Sequence, residues 1–183
     1  MVRRQAKWLL GEATQAFLAA LDISGFSNDP TPDRLLHLRH AFLRSVEKTA
    51  LLQRERSNTR VHFLGDELRL AFHVDVGVAQ VRDFVTELLA DLKKTNLSVE
   101  TQRRVHLRTV LLAGPVTWSQ WHDCHFLDGP LPAKAQFWMS HLAPSEIAAD
   151  TAFSLYLDVA GLTAPVAIRT IANERAHILT LTC

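Results

Sequence analysis

The stretch AFLAALDISGFS, Ala16 to Ser27, sets an unbroken apolar run directly against an aspartate and a loop of small residues. Ala16 to Leu21 is too short for a typical helix and too continuous for a solvated one, so it reads as a buried strand that ends in Asp22. Ser24, Gly25, Ser27, Asn28, Asp29 and Pro30 then form a loop, which leaves the carboxylate at the strand's exit.

Working outward, Thr31-Pro32-Asp33 offers a helix cap with proline in the first turn, and Leu35, Leu38, Phe42 and Val46 recur at helical spacing toward Leu52. Arg60 to Leu64 and Leu68 to His73 are strand-like runs on either side of Gly65-Asp66-Glu67, a hairpin with Asp66 at its tip. Val78 to Lys93 carries Val81, Phe84, Val85, Leu88, Leu89 and Leu92 on one helical face. Val105 to Ala113 is rich in branched residues and stops at Gly114-Pro115, as a central strand followed by a turn would. After the polar stretch from Thr117 to Asp128, the turn Asp128-Gly129-Pro130 leads into a helix over Leu131 to Leu142, closed before Ala143-Pro144. Ile168 to Ala172 and His177 to Leu181 make a terminal hairpin around Asn173-Glu174-Arg175. This order predicts an α+β fold with one mostly antiparallel sheet and helices packed on a face, without internal repeats.

The chain of 183 residues has the size of one ordinary domain with a real core, and leaves no room for a separate sensor domain. Its 48% hydrophobic and 21% charged residues exclude long disorder. Twenty Lys and Arg against nineteen Asp and Glu leave a formal charge of +1, so no basic excess points to nucleic acid as a partner. Only Cys124 and Cys183 are present, far apart, which fits a reducing compartment better than a disulfide framework. Gly11 and Glu12 end the short run Trp8-Leu9-Leu10 too early for a signal peptide, and nothing approaches the ~20 apolar residues of a membrane span. A soluble protein of the cytoplasm, without a membrane partner, is the expectation.

Chemistry concentrates on two carboxylates that terminate or tip strands: Asp22, and Asp66 in LGDEL. With the first strand beside the hairpin, both face one end of the sheet, where Mg²⁺ or Mn²⁺ could join them to substrate phosphates. Each aspartate taken singly also fits a purely structural role, as a strand end or a turn residue. The loop Ile23-Ser24-Gly25-Phe26 adds small residues whose backbone N–H groups can approach phosphate oxygens. His122-Asp123-Cys124-His125 packs four potential ligands together, but adjacent residues rarely converge on one zinc ion and no second cluster stands at ligand spacing. Trp118, Trp121 and Trp138 read as interface residues. Arg103-Arg104 and the basic run from Arg54 to Arg60 read as solvated charge.

Taken in order, these elements resemble the class III adenylate and guanylate cyclases. LDISGFS, Leu21 to Ser27, matches the family's Asp-Ile-x-Gly-Phe entry, and LGDELRLAF, Leu64 to Phe72, matches its Gly-Asp hairpin. Arg108 to Val116 matches its Gly-Pro-Val strand end, and Gly129 through APSEI, Ala143 to Ile147, matches its late helix and turn. The resemblance covers residues 16–183 as a nucleotide cyclase homology domain with a ferredoxin-like, palm-type sheet, and residues 1–15 as an extension. It implies that Asp22, Asp66 and the Ile23 carbonyl hold two divalent ions, Mn²⁺ or Mg²⁺, with Ser24, Gly25 and Phe26 on the triphosphate. The 3′-hydroxyl of the ribose then attacks the α-phosphorus and pyrophosphate leaves.

The departures from that family are specific. Its purine-reading Lys and Asp fall at His62 and Phe126, and its ribose-orienting Asn and transition-state Arg fall at Ala133 and Phe137, unless Lys134, Gln136 or an arginine elsewhere substitutes. A rebuilt base pocket in a single domain resembles the stand-alone bacterial pyrimidine cyclases of antiphage signalling, the Pycsar type. That likeness implies cyclic UMP or cyclic CMP made for a separate effector. The resemblance to the wider class III family implies a head-to-tail homodimer in which Asp22 and Asp66 face a partner copy's Arg60, His62 and Phe126, with Arg108 as a phosphate or base contact. Retention of both metal carboxylates favours catalysis over a nucleotide-binding module that turns over nothing.

Overall fold

A computed structural model of the chain describes residues 8–26, 31–162 and 167–180. Strand β1, Ala13–Ile23, is the spine of the sheet. It runs antiparallel to β3, Glu67–His73, on one side and to β4, Leu107–Trp121, on the other. Strand β2, Thr59–Leu64, closes the edge beyond β3. Past β4 come β6, Ile147–Asp150, then β8, Glu174–Ile178, then β7, Ala167–Ile171, while β5, Cys124–Asp128, extends the far end of β4 as a hairpin. Only the β4–β6 pairing is parallel among the described strands. The α+β plan with a mostly antiparallel sheet is the one expected.

Alternation along β1 sorts the core into two layers. Phe17, Ala19, Leu21 and Ile23 meet helices α1, Pro32–Lys48, α2, Ala50–Arg54, α3, Val78–Leu97, and α5, Thr151–Val159, through Leu38, Leu51, Phe84 and Phe153. Ala16, Leu18 and Ala20 meet helix α4, Pro130–Met139, through Leu131, Ala135 and Trp138. Helices therefore pack on both faces rather than one. Trp138 is a core residue at 1% exposure, not an interface residue, because its position on α4 points at β1 and β4.

Several boundaries depart from the sequence expectation for identifiable reasons. β1 opens at Ala13, so Ala13, Thr14 and Gln15 of the expected extension are strand residues, and Trp8 ahead of them is buried. β4 does not stop at Gly114-Pro115 but runs through it. At Pro115 the strand has only β1 as neighbour, opposite Gln15, because β6 pairs no further than Leu111 and β5 begins opposite Thr117, so no ladder bond is lost to the proline. At Gly114, φ is +154°, a backbone conformation that side chains rarely adopt, while a Cβ there would meet Leu131 at an ordinary contact distance of 3.4 Å, so conformation rather than space favours glycine. The polar stretch after it is the β4–β5 hairpin, turning at His122-Asp123. The expected single helix to Leu52 breaks at Thr49, whose extended backbone is held by its hydroxyl donating to the Val46 carbonyl at 2.8 Å. The terminal hairpin turns at Ala172-Asn173, both with positive φ, so β8 starts earlier than expected, at Glu174. Neither β6 nor α5 was anticipated. Asp150 joins them, accepting the Phe153 N–H at 2.8 Å as the helix cap. No helix among the described residues is long and apolar enough to cross a membrane.

Candidate functional site

Asp22 sits one residue before the end of β1, on the α4 face of the sheet, with Glu67 opposite on β3 and Arg108 opposite on β4. It is 7% exposed. Arg108 donates to its Oδ2 through Nε at 2.8 Å and again through Nη2. Burial nevertheless pushes the Asp22 carboxyl up to about 6. The Arg108 hydrogen bond and charge oppose the rise, and the neighbouring charges of Asp66 and Glu67 add to it. Glu67 is held by buried Arg69, Nε to Oε1 at 2.5 Å and Nη2 to Oε2 at 3.1 Å. Asp66 occupies the β2–β3 turn beside Gly65, φ +66°, and makes no ion pair among the described residues. Ile23, Phe42, Phe63 and Asp66 line a shallow cleft at this end of the sheet.

The loop after β1 is anchored at both ends of its described part. The Ser24 N–H donates to the His106 carbonyl at 2.8 Å. Gly25 turns the chain with φ +71°, and Arg34 of α1 donates to the carbonyls of Gly25 and Phe26, each at 3.2 Å. With those carbonyls bound from the α1 side, the loop has a defined shape at Ser24 to Phe26. Ser27 to Pro30 lie outside the described residues.

His62 and Phe126 meet within the one chain, ring centroids 6.4 Å apart. The Leu127 N–H approaches His62 Nδ1 at 3.4 Å, which leaves the neutral ring's proton on Nε2. Burial, reinforced by the charge of Arg69 opposite it, lowers the His62 pKa. Arg60 is elsewhere engaged: its guanidinium lies 5.6 Å from the Trp8 ring centroid and 5.7 Å from that of Trp118. The sheet thus brings Asp22, Asp66 and Arg108 together at one end, pairs His62 with Phe126 on the same face, and gives Arg60 a packing position.

On α4, Ala133, Gln136 and Phe137 face outward, whereas Lys134 turns in to Asp150 at 3.4 Å and to Glu174, with its ammonium 4.7 Å from the Trp138 ring centroid. Lys134 is therefore engaged within the fold, while Gln136 is exposed. Residues that sequence reasoning passed over are Arg34, Glu67, Arg69 and Asp150. Glu67 had a visible signal, its adjacency to Asp66 in LGDEL. Of the His122 to His125 group, His125 stacks on Trp118 at 5.4 Å, His122 packs on Trp121 and Cys124 is exposed. No three His, Cys, Asp or Glu side chains converge on a metal position among the described residues.

The Asp22 end of the sheet suits a hard cation. Two carboxylates near enough for one to raise the proton affinity of the other are relieved by a positive ion between them. With no third side-chain ligand among the described residues, further oxygens for such an ion have to come from the backbone, water or a bound ligand.

No family model matches the chain, and no curated protein matches its sequence. Solved structures do match its fold. The guanylyl cyclase Cya2 superposes with TM-score 0.69 at 14% identity over 93% of this chain and 92% of that one. The adenylyl cyclase CyaB from P. aeruginosa gives 0.66 at 13% identity over 93% and 97%. The guanylate cyclase domain of RhGC from Catenaria anguillulae, in complex with GTP, gives 0.66 at 14% identity over 89% and 93%. The fold is that of class III cyclase domains.

Proposed function

We propose that the chain is a nucleotide cyclase acting on a pyrimidine nucleoside triphosphate, UTP in preference to CTP. The observation that carries this reading is the convergence of Asp22 and Asp66 at one end of a cyclase-type sheet, with His62 and Phe126 on the same face in place of a purine-reading pair.

In the reaction, the ribose 3′-oxygen forms a bond to the α-phosphorus, the bond from that phosphorus to the β-phosphate bridging oxygen breaks, and pyrophosphate departs. The hydroxyl proton leaves to solvent. Asp22, Asp66 and the Ile23 carbonyl are suited to hold two Mn²⁺ or Mg²⁺ ions, which when bound supply Lewis acidity at the phosphorus and ease ionisation of the hydroxyl. Ser24 to Phe26, shaped by Arg34, offer backbone to the triphosphate, and Arg108 stands beside Asp22 where phosphate charge would gather. The His62 Nε2–H is a donor that suits the O4 acceptor of uracil better than the amino group of cytosine, and Phe126 supplies an apolar ring beside it. A homodimer would complete two equivalent composite sites. The product would act as a second messenger for a separate effector, in a cytoplasmic antiphage role.

A second reading, a nucleotide-binding or dimerisation module without turnover, is favoured by α4: Ala133 and Phe137 face outward and Lys134 is tied to Asp150 and Glu174. Incubating the purified protein with ATP, GTP, CTP or UTP and Mn²⁺, and identifying products by mass, separates the two. The expected result is a cyclic pyrimidine monophosphate that the Asp66→Ala protein does not make. No cyclic product from any of the four would leave the module.

A further inference from the structure

A groove of about 540 Å³ runs along the outer side of α1, on the sheet face opposite the one that carries Asp22. His37, His40, Arg44 and Lys48 recur along α1 at three- and four-residue spacing, and Arg103 faces them across the groove. One carboxylate, Asp33, shares the lining. Lys48 is matched by Asp91 at 3.2 Å, which also accepts from Ser45 at 2.7 Å. Arg44 and Arg103 enter no ion pair among the described residues.

With Lys48 matched by Asp91, Arg44 and Arg103 carry the groove's charge that no carboxylate balances among the described residues, in a chain whose total charge is only +1. Guanidinium charge from two elements, in a concave space of small-molecule size, is what an anion site requires. Arginine forks from two elements match the oxygens of a phosphate better than a lone ammonium does. The groove also has a physical route to the other face. Arg103 adjoins Gln102, whose carbonyl accepts from Arg34 Nε at 2.9 Å, and the same guanidinium holds the carbonyls of Gly25 and Phe26.

We propose that this groove binds a phosphate-bearing small molecule at a site separate from the Asp22 end of the sheet. Only the further consequence, that its occupant tunes the Gly25–Phe26 loop through Arg34, rests on the cyclase reading.

Calorimetric titration with inorganic pyrophosphate in EDTA tests the site without reference to turnover. Pyrophosphate is expected to bind the wild type, with affinity falling about tenfold for each arginine removed in Arg44→Ser and Arg103→Ser. An Arg44→Lys, Arg103→Lys double variant, which keeps the charge but loses the forks, is expected to bind more weakly than the wild type and more tightly than the doubly substituted serine variant, and Asp66→Ala is expected to retain all of the binding. Circular dichroism confirms that each variant is folded. No binding by the wild type, or affinity unchanged within about twofold in the doubly substituted serine variant, would overturn the proposal. So would a loss confined to Asp66→Ala, which places the anion at the other site. Far tighter binding of a long single-stranded RNA that depends on both arginines would overturn it in favour of a nucleic-acid backbone.

Discussion

Replacing Asp22 by Asn removes a buried charge while keeping the shape of the side chain, and its effect on stability follows from one carboxyl group. The Asp22 pKa rises from 3.8 to about 6 on folding. The folded protein therefore holds the proton more tightly than the unfolded chain, and above about pH 6 it carries the full penalty of an ionised carboxylate out of water. At about 1.36 kcal/mol per pH unit this is ~3 kcal/mol. Solvent reaching the partly exposed Arg108 side of the pair screens it, so about 1–3 kcal/mol is expected. The penalty shrinks as pH falls through 6 and is gone below 3.8. Asn never ionises. Asp22→Asn should thus be more stable than the wild type in urea unfolding at pH 8 without divalent ions, and lose that advantage by about pH 4. Adding Mn²⁺ should narrow the gap at pH 8 by stabilising the wild type alone. An Asp22→Asn protein that is less stable by the same amount at both pH values would refute the reasoning.

Arg60→Ala should release Trp8 and Trp118 from the guanidinium they flank, costing about 1–2 kcal/mol and shifting tryptophan emission to the red. Asp150→Ala removes the α5 cap and one of the two partners of Lys134, and is expected to cost about 2 kcal/mol in denaturant unfolding, whereas Asp150→Asn, which still caps, should cost less. Gly65→Ala places a Cβ at φ +66° and should cost about 1 kcal/mol, while leaving Asp66 in the turn.

Where local pattern and burial coincide, the fold was legible. AFLAAL and the LGDEL hairpin carry their strand character within a few residues, so β1, β2 and β3 and both aspartates stood where expected. β6 has four residues buried on both sides, with no alternation to mark it as a strand. The β4–β5 arm is polar because it is half exposed, and so it resembled a loop. Contacts set by strand register across distant sequence had no local trace: Arg108 reaches Asp22 from 86 residues away. Trp138 shows the same gap, since composition suggests an interface and only the orientation of α4 reveals a core position.

The Trp8–Arg60–Trp118 stack ties the start of the described chain to β2 and to the far half of β4. Arg60 lies two residues from His62 on β2, so a pull on the backbone ahead of Trp8 would be delivered to the strand that carries the His62 imidazole. A protein fused upstream through a stiff helical linker would work as a handle on that strand, and one joined through a floppy linker would be mechanically silent. Varying linker stiffness therefore offers a way to engineer input control without altering any residue of the site.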